Sequence, residues 1–227
     1  MSDVSFKDFD ILSEQDKAEA VALLQRYDQL EKQDGCQSDF ISFIKHMWPE
    51  FIEGRHHKII ADKFNKIADG KLKRLIVCLP PRHSKSEFAS TFFPAWMMGR
   101  RGNLKIIQTT HTAELAVRFG RKVRNLIDST EYQHIFPELK LQADNKSAGR
   151  WTSNQEGEFF AAGVGGAITG RGADLLIIDD PHSEQDALSP KALESAYEWY
   201  TSGPRQRLQP GGIIVIVMTR WSTKDLV

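Results

Sequence analysis

The segment Ala173 to Pro181, ADLLIIDDP, sets four consecutive large aliphatics, Leu175, Leu176, Ile177 and Ile178, directly before Asp179 and Asp180. An unbroken aliphatic run suits a strand buried on both faces, as in a parallel sheet covered by helices. This restricts the chain to an α/β architecture. In open sheets of that class ligands bind beyond the C-terminal ends of the strands, where the two carboxylates then stand. Taken singly, an Asp-Asp pair there also serves to cap the next segment.

A second segment gives the pair a partner. Arg74 to Glu87, RLIVCLPPRHSKSE, reads as a buried strand, a tight turn and a helix start carrying Lys85-Ser86. In phosphate-binding loops of this shape, backbone N–H groups and the helix N-terminus face the phosphates. The Lys reaches the β/γ oxygens and the following hydroxyl ligates Mg²⁺. The pattern G-x-x-x-x-G-K-[ST] is met imperfectly: Leu79 replaces the first Gly, Ser84 replaces the second, and Pro80-Pro81 stiffen the entry. A plain strand-to-helix connection would give Lys-Ser after an apolar run too, so the two segments argue together.

Jointly they predict nucleotide hydrolysis with ATP and Mg²⁺. Pro81, Arg82, His83, Ser84, Lys85, Ser86 and Glu87 form the expected nucleotide-binding loop. Ser86 and Asp179 are the metal candidates, and Asp180 occupies the position of a water-polarising acid. Arg82, inside the loop, is placed to touch the γ-phosphate in cis. A third apolar strand, Ile213 to Met218, leads into Thr219, the expected γ-phosphate sensor if this strand lies between the other two.

The composition fits one large core: 227 residues, 41% hydrophobic and 26% charged, with a net charge of zero. Zero net charge argues against a DNA-coating protein, although local basic clusters at Lys71 to Arg74, Arg100-Arg101 and Arg118 to Arg124 could follow a phosphate backbone or face a neighbouring subunit. No run approaches a membrane span and the N-terminus is polar, which predicts an intracellular setting. Cys36, in a polar stretch, and Cys78, in the apolar strand, form neither a disulfide framework nor a zinc set; Cys78 is expected in the core. Adjacent His56 and His57 point in different directions and lack further ligands at zinc spacing.

Along the chain, Ser13 to Lys32 reads as a helix capped by Ser13, with Ala20, Val21, Leu24 and Tyr27 on one face and Gly35 ending it. Phe40 to Met47 and His57 to Ile67 are two further helices. Glu87 to Met98 is helical up to a disturbance at Pro94, its Phe88, Phe92, Phe93 and Trp96 packing in the core. Leu104 to Thr109 is a strand and His111 to Ile127 an amphipathic helix whose polar side carries Arg118, Arg121, Lys122 and Arg124. Gly163 to Gly172 holds five glycines in ten residues and must be a loop, with Arg171 free to face DNA or a neighbour. Ser189-Pro190 starts a helix that places Leu193, Ala196, Tyr197 and Tyr200 toward the core, and Pro210 to Gly212 turn the chain into its last strand.

Four segments in order, GRHHKIIADKF, RLIVCLPPRHSKSE, GVGGAITGRGADLLIIDDP and RLQPGGIIVIVMTRWSTKDL, resemble the ATPase half of the large terminase subunit of tailed bacteriophages. The resemblance covers roughly residues 40 to 227. It implies a RecA-like P-loop ATPase of the ASCE type, an α/β fold with a mostly parallel sheet flanked by helices. The implied division is a helical leader over 1–36 and a motor domain over 37–227, without the family's nuclease domain. Also implied are ATP-driven translocation of double-stranded DNA, a homo-oligomeric ring on a portal, a small terminase subunit as partner, and the host cytoplasm as location. The family pattern sets Arg55 and His57 near the adenine, and makes Arg124 or Arg121 an arginine supplied in trans to a neighbour's phosphates. A helicase would normally need a second RecA-like lobe, and a non-catalytic assembly module would account for Ser84 and for Asp at position 180.

Overall fold

In the computed structural model, the described residues are 13–168 and 170–227, without the side chains of 143–146. The first twelve residues of the expected leader lie outside them. Among the described residues, seven strands form one sheet in the order β1-β7-β6-β2-β5-β4-β3. They are β1 (Arg74–Cys78), β2 (Lys105–Thr110), β3 (Leu141–Ser147), β4 (Arg150–Ser153), β5 (Glu158–Gly163), β6 (Ala173–Asp179) and β7 (Leu208–Met218). The pairs β1–β7, β7–β6, β6–β2 and β2–β5 are parallel, and β4 pairs antiparallel with both β5 and β3. The α/β fold with a mostly parallel sheet is therefore what the aliphatic runs predicted.

The run that argued for a doubly covered strand occupies the middle: Leu175, Leu176, Ile177 and Ile178 of β6 are each 0% exposed. β7 lies between β1 and β6, so the three predicted site strands are neighbours. One expectation fails at β1. It is the sheet's edge strand, buried only at Val77, with Ile76 55% exposed. Cys78 is consequently exposed, whereas Cys36 lies in the core.

Helices α1 (Glu14–Ser38), α2 (Phe40–Met47), α3 (Arg55–Ala68), α4 (Phe93–Arg100), α5 (Ala113–Ile127), α6 (Thr130–Ile135) and α7 (Pro190–Ser202) flank the sheet. Phe40 of α2 sits amid Phe64, Phe88, Phe93 and Trp96, at ring-centroid distances of 5.1, 5.6, 5.8 and 5.3 Å. On the other side Leu176, Ile178, Ile214, Ile216 and Met218 are covered by Trp199 and Tyr200 of α7 and by Leu226.

Three boundaries differ from the sequence reading, each for a local reason. α1 runs through Gly35 to Ser38, because its last turns are docked: Gln33 and Gln37 both donate to the Ile135 carbonyl, and Trp96 Nε1 donates to that of Cys36 at 2.8 Å. The 36/37 division thus falls inside a helix. Farther back, Val21, Leu24 and Tyr27 of the predicted apolar face are exposed among the described residues. Pro94 lies in the first turn of α4 and is preceded by a π-helical stretch, Glu87–Phe92, in which Phe93 N–H bonds to the Phe88 carbonyl. A ring without an N–H cannot continue the α ladder, and a π segment absorbs the mismatch. Pro210 to Gly212 lie within β7 as a bulge: the register steps from Ala173–Leu208 to Leu175–Ile213, and Gly211 takes φ +82°.

Candidate active site at the C-terminal edge of the sheet

The phosphate-loop candidate joins β1 to the π-helical stretch. Leu79 N–H donates to the Met218 carbonyl at 3.2 Å, so the loop leaves the sheet still laddered to β7. The backbone is left-handed at Arg82, φ +63°, and at Ser84, φ +59°, and Phe88 N–H closes the first helical turn on the Ser84 carbonyl at 2.9 Å. Such alternation folds successive backbone N–H groups into an anion-binding concavity. It also explains why Gly is the usual residue at position 84: an L side chain in that conformation costs roughly 1–2 kcal/mol. Ser84→Gly should therefore raise stability, by up to about 1 kcal/mol once the entropy of the unfolded chain is counted. A lower melting temperature in that variant would mean that the Ser84 side chain contributes more than its backbone costs.

Lys85 is 7% exposed, and its Nζ lies 2.9 Å from Asp180 Oδ2. The carboxylate stands where an anionic oxygen must stand to satisfy a buried ammonium. Asp180 is itself held from the ends of β7 and β2: its N–H donates to the Val217 carbonyl at 2.9 Å, its carbonyl accepts from His111 N–H at 3.2 Å, and its Oδ1 accepts from Thr219 N–H at 2.8 Å. Its φ of +41° is left-handed, a conformation a non-Gly residue adopts only when its surroundings impose it. Thr219 Oγ1 donates to the Leu79 carbonyl at 3.3 Å, which ties the end of β7 to the loop entry as well.

Asp179 differs from its neighbour in every respect. It is 2% exposed; Ser86 Oγ donates to its Oδ1 at 2.9 Å and Ser90 Oγ to its Oδ2 at 2.7 Å. Burial pushes its carboxyl up to about 7, helped by the Asp180 charge and opposed by the two hydroxyls and Lys85. A buried carboxylate beside a hydroxyl is a hard-oxygen donor pair of the kind Mg²⁺ takes when phosphate and water complete its shell. The chemistry of Ser86 and Asp179 therefore fits such an ion, and these two residues would hold it.

Beside the loop, a cavity of about 290 Å³ is lined by Trp48, Phe51, His56, His57, Arg82 and Ser84 among others. His57 accepts from Gly54 N–H through Nδ1 at 2.9 Å, and its ring stacks on Phe88. Burial and the neighbouring His56 lower its pKa. Arg55 is exposed at the first position of α3 and does not line this cavity. A larger cavity of about 420 Å³, between α1 and α6, contains none of the predicted site residues. Chemistry rather than size selects the site.

The remaining predicted residues do not converge on Lys85. Pro81, Arg82 and His83 are exposed on its outer turn, where His83 Nδ1 lies 2.9 Å from the Pro81 carbonyl. Glu87 pairs with Lys122 of α5. Arg121 is exposed and Arg124 bonds to Asn125 Oδ1, both on α5. Arg171, read as able to face DNA or a neighbour, is paired with Glu158 and lies over the Phe160 ring at 4.1 Å. The sequence reading missed Ser90, which stands one helical turn beyond Ser86, a spacing that could have flagged it. It also missed His111, whose Nδ1 is 3.3 Å from Asp186 at the edge of the site.

No protein-family model and no curated protein matches the chain. Among solved structures it is similar to the large terminase of bacteriophage HK97, at 13% sequence identity and a TM-score of 0.53, over 84% of this chain and 39% of that one. The chain thus spans about two fifths of the length of that protein. At this identity the likeness establishes a terminase-like fold.

Proposed function

We propose that this chain is the ATP-hydrolysing motor domain of a viral DNA-packaging terminase. The observation that carries the reading is the pairing of buried Lys85 with Asp180 at 2.9 Å, beside a hydroxyl–carboxylate pair, Ser86 and Asp179, in a terminase-like fold. A triphosphate entering the loop competes with Asp180 for the Lys85 ammonium, because phosphate oxygens offer the same charge-assisted contact. Released from Lys85, Asp180 keeps the Thr219 N–H on one oxygen and has the other free to accept a proton from, and orient, a water molecule. Thr219, tied to both Asp180 and the loop entry, transmits that exchange to β7. Mg²⁺ held by Ser86 and Asp179 would supply charge neutralisation at the phosphate oxygens.

The cavity beside the loop, walled by Trp48, Phe51 and His57, is of a kind that stacks a base, which is the proposed adenine site. Arg82, on the outer turn, is the cis candidate for the γ-phosphate, and Arg121 or Arg124 would act on a neighbour's nucleotide in a ring. Double-stranded DNA, a portal and a small terminase subunit are the proposed partners, in the host cytoplasm.

The test is Asp180→Asn in a magnesium-dependent ATPase assay, with nucleotide affinity measured alongside. Affinity should be kept and turnover should fall roughly 10²- to 10⁴-fold, the usual contribution of a positioned proton acceptor. Normal turnover would transfer the role to another acid, with Glu184 the first alternative.

A further inference from the structure

Ser90 is 0% exposed, and a fully buried hydroxyl must spend its proton on a partner. Its neighbour Thr91, 5% exposed, shows the alternative, since its Oγ1 has no partner among the described residues. Ser90 Oγ instead donates to Asp179 Oδ2 at 2.7 Å, the shorter of the two hydroxyl contacts on that carboxylate. The two oxygens are thereby divided. Oδ2 is taken by a residue that cannot leave the core; Oδ1 faces Ser86, which is only half-buried at the mouth of the loop. The π-helical stretch Glu87–Phe92 is what carries Ser90, so the irregularity forced near Pro94 lies between the loop and the core.

We infer that Ser90 is a positioning residue for the magnesium–nucleotide site: it locks the Asp179 carboxylate so that Oδ1, beside Ser86, is the oxygen presented to the metal. This rests on the nucleotide reading above. Ser90 touches neither metal nor substrate and acts through Asp179 alone. Groups that orient a metal ligand in this way are typically worth 10- to 100-fold in metal affinity.

The experiment titrates Mg²⁺ against binding of a non-hydrolysable ATP analogue by calorimetry, together with kcat and a thermal melt. In Ser90→Ala the Mg²⁺ concentration for half-maximal binding should rise roughly 10- to 100-fold. Analogue affinity in EDTA should stay as in the wild type, and kcat at saturating Mg²⁺ should fall much less than the apparent metal affinity. Ser90→Thr, which keeps the hydroxyl, should restore the wild-type half-saturation if its melt shows it folded. Thr91→Val, which removes the adjacent buried hydroxyl, should leave the Mg²⁺ titration unchanged and so exclude a general effect of polar loss in this segment. A wild type whose analogue binding is indifferent to Mg²⁺ overturns the nucleotide reading and this inference with it. A magnesium-dependent wild type beside a Ser90→Ala variant of unchanged half-saturation overturns the inference alone. Equal shifts in Ser90→Ala and Thr91→Val also overturn it.

Discussion

Replacing Lys85 by Ala is expected to reduce ATP turnover to background while leaving the domain folded. The ammonium is buried at 7% exposure and touches one anionic group, Asp180, so it contributes a charge at the loop and little packing to the core. Removing a single well-aimed donor from an enzyme's charge-stabilising set costs roughly 10²- to 10³-fold, and this one would face both β- and γ-phosphate oxygens. The variant also strips Asp180 of its counter-charge. Asp180 is a third exposed and keeps the Thr219 N–H, so solvent compensates for much of that loss and unfolding is not expected. A melting curve distinguishes the outcomes: a cooperative transition near that of the wild type with no turnover supports the assignment. Unchanged turnover removes Lys85 from the phosphates and the proposed function with it.

The parts of this site that could be read from the chain are those whose chemistry is local. Lys85-Ser86 follows an apolar strand, and Asp179-Asp180 ends another, because strand, turn and helix N-terminus are successive steps of one backbone path. Both segments carry the residues that the structure then brings together. The same holds for the helix caps at Ser13 and Ser189, whose hydroxyls accept from Asp16 and Ala192 N–H.

What stayed hidden depends on distant neighbours. β3 and β4 were not predicted because QADNKS and RWTS lack a sustained apolar period, and their strand character comes from antiparallel pairing at one end of the sheet. Cys78 departs from its expected core position for the same reason, since β1 ends the sheet, whereas Cys36 is buried with its carbonyl accepting from Trp96, 60 residues away. Ser90 reads as one more small residue in a helix, and its role emerges only from Asp179, 89 residues further on. The apolar face of α1 is a different case. A helical period shows that one face is apolar but not that anything covers it.

The second large effect concerns Asp179 in the metal-free protein. Its carboxyl is raised from 3.8 to about 7 by burial, so the folded state retains a proton that the unfolded chain gives up. The unfolded state binds fewer protons across that interval, and stability must fall as pH rises from about 4 to about 7, then level off once the folded carboxyl ionises too. At about 1.4 kcal/mol per unit the accumulated penalty at pH 8 is on the order of a few kcal/mol. Asp179→Asn keeps a carbonyl oxygen for one hydroxyl and an amide for the other, and it cannot ionise. In EDTA, Asp179→Asn should therefore melt higher than the wild type at pH 8, and the difference should shrink toward pH 4. The same variant should lose the magnesium dependence of nucleotide binding. A wild type held below its best stability by an ionisable group it needs for metal is the expected signature of a functional carboxylate. If Asp179→Asn melts lower than the wild type at pH 8, the buried acid is instead a structural hub for Ser86 and Ser90, and its assignment as a metal ligand fails.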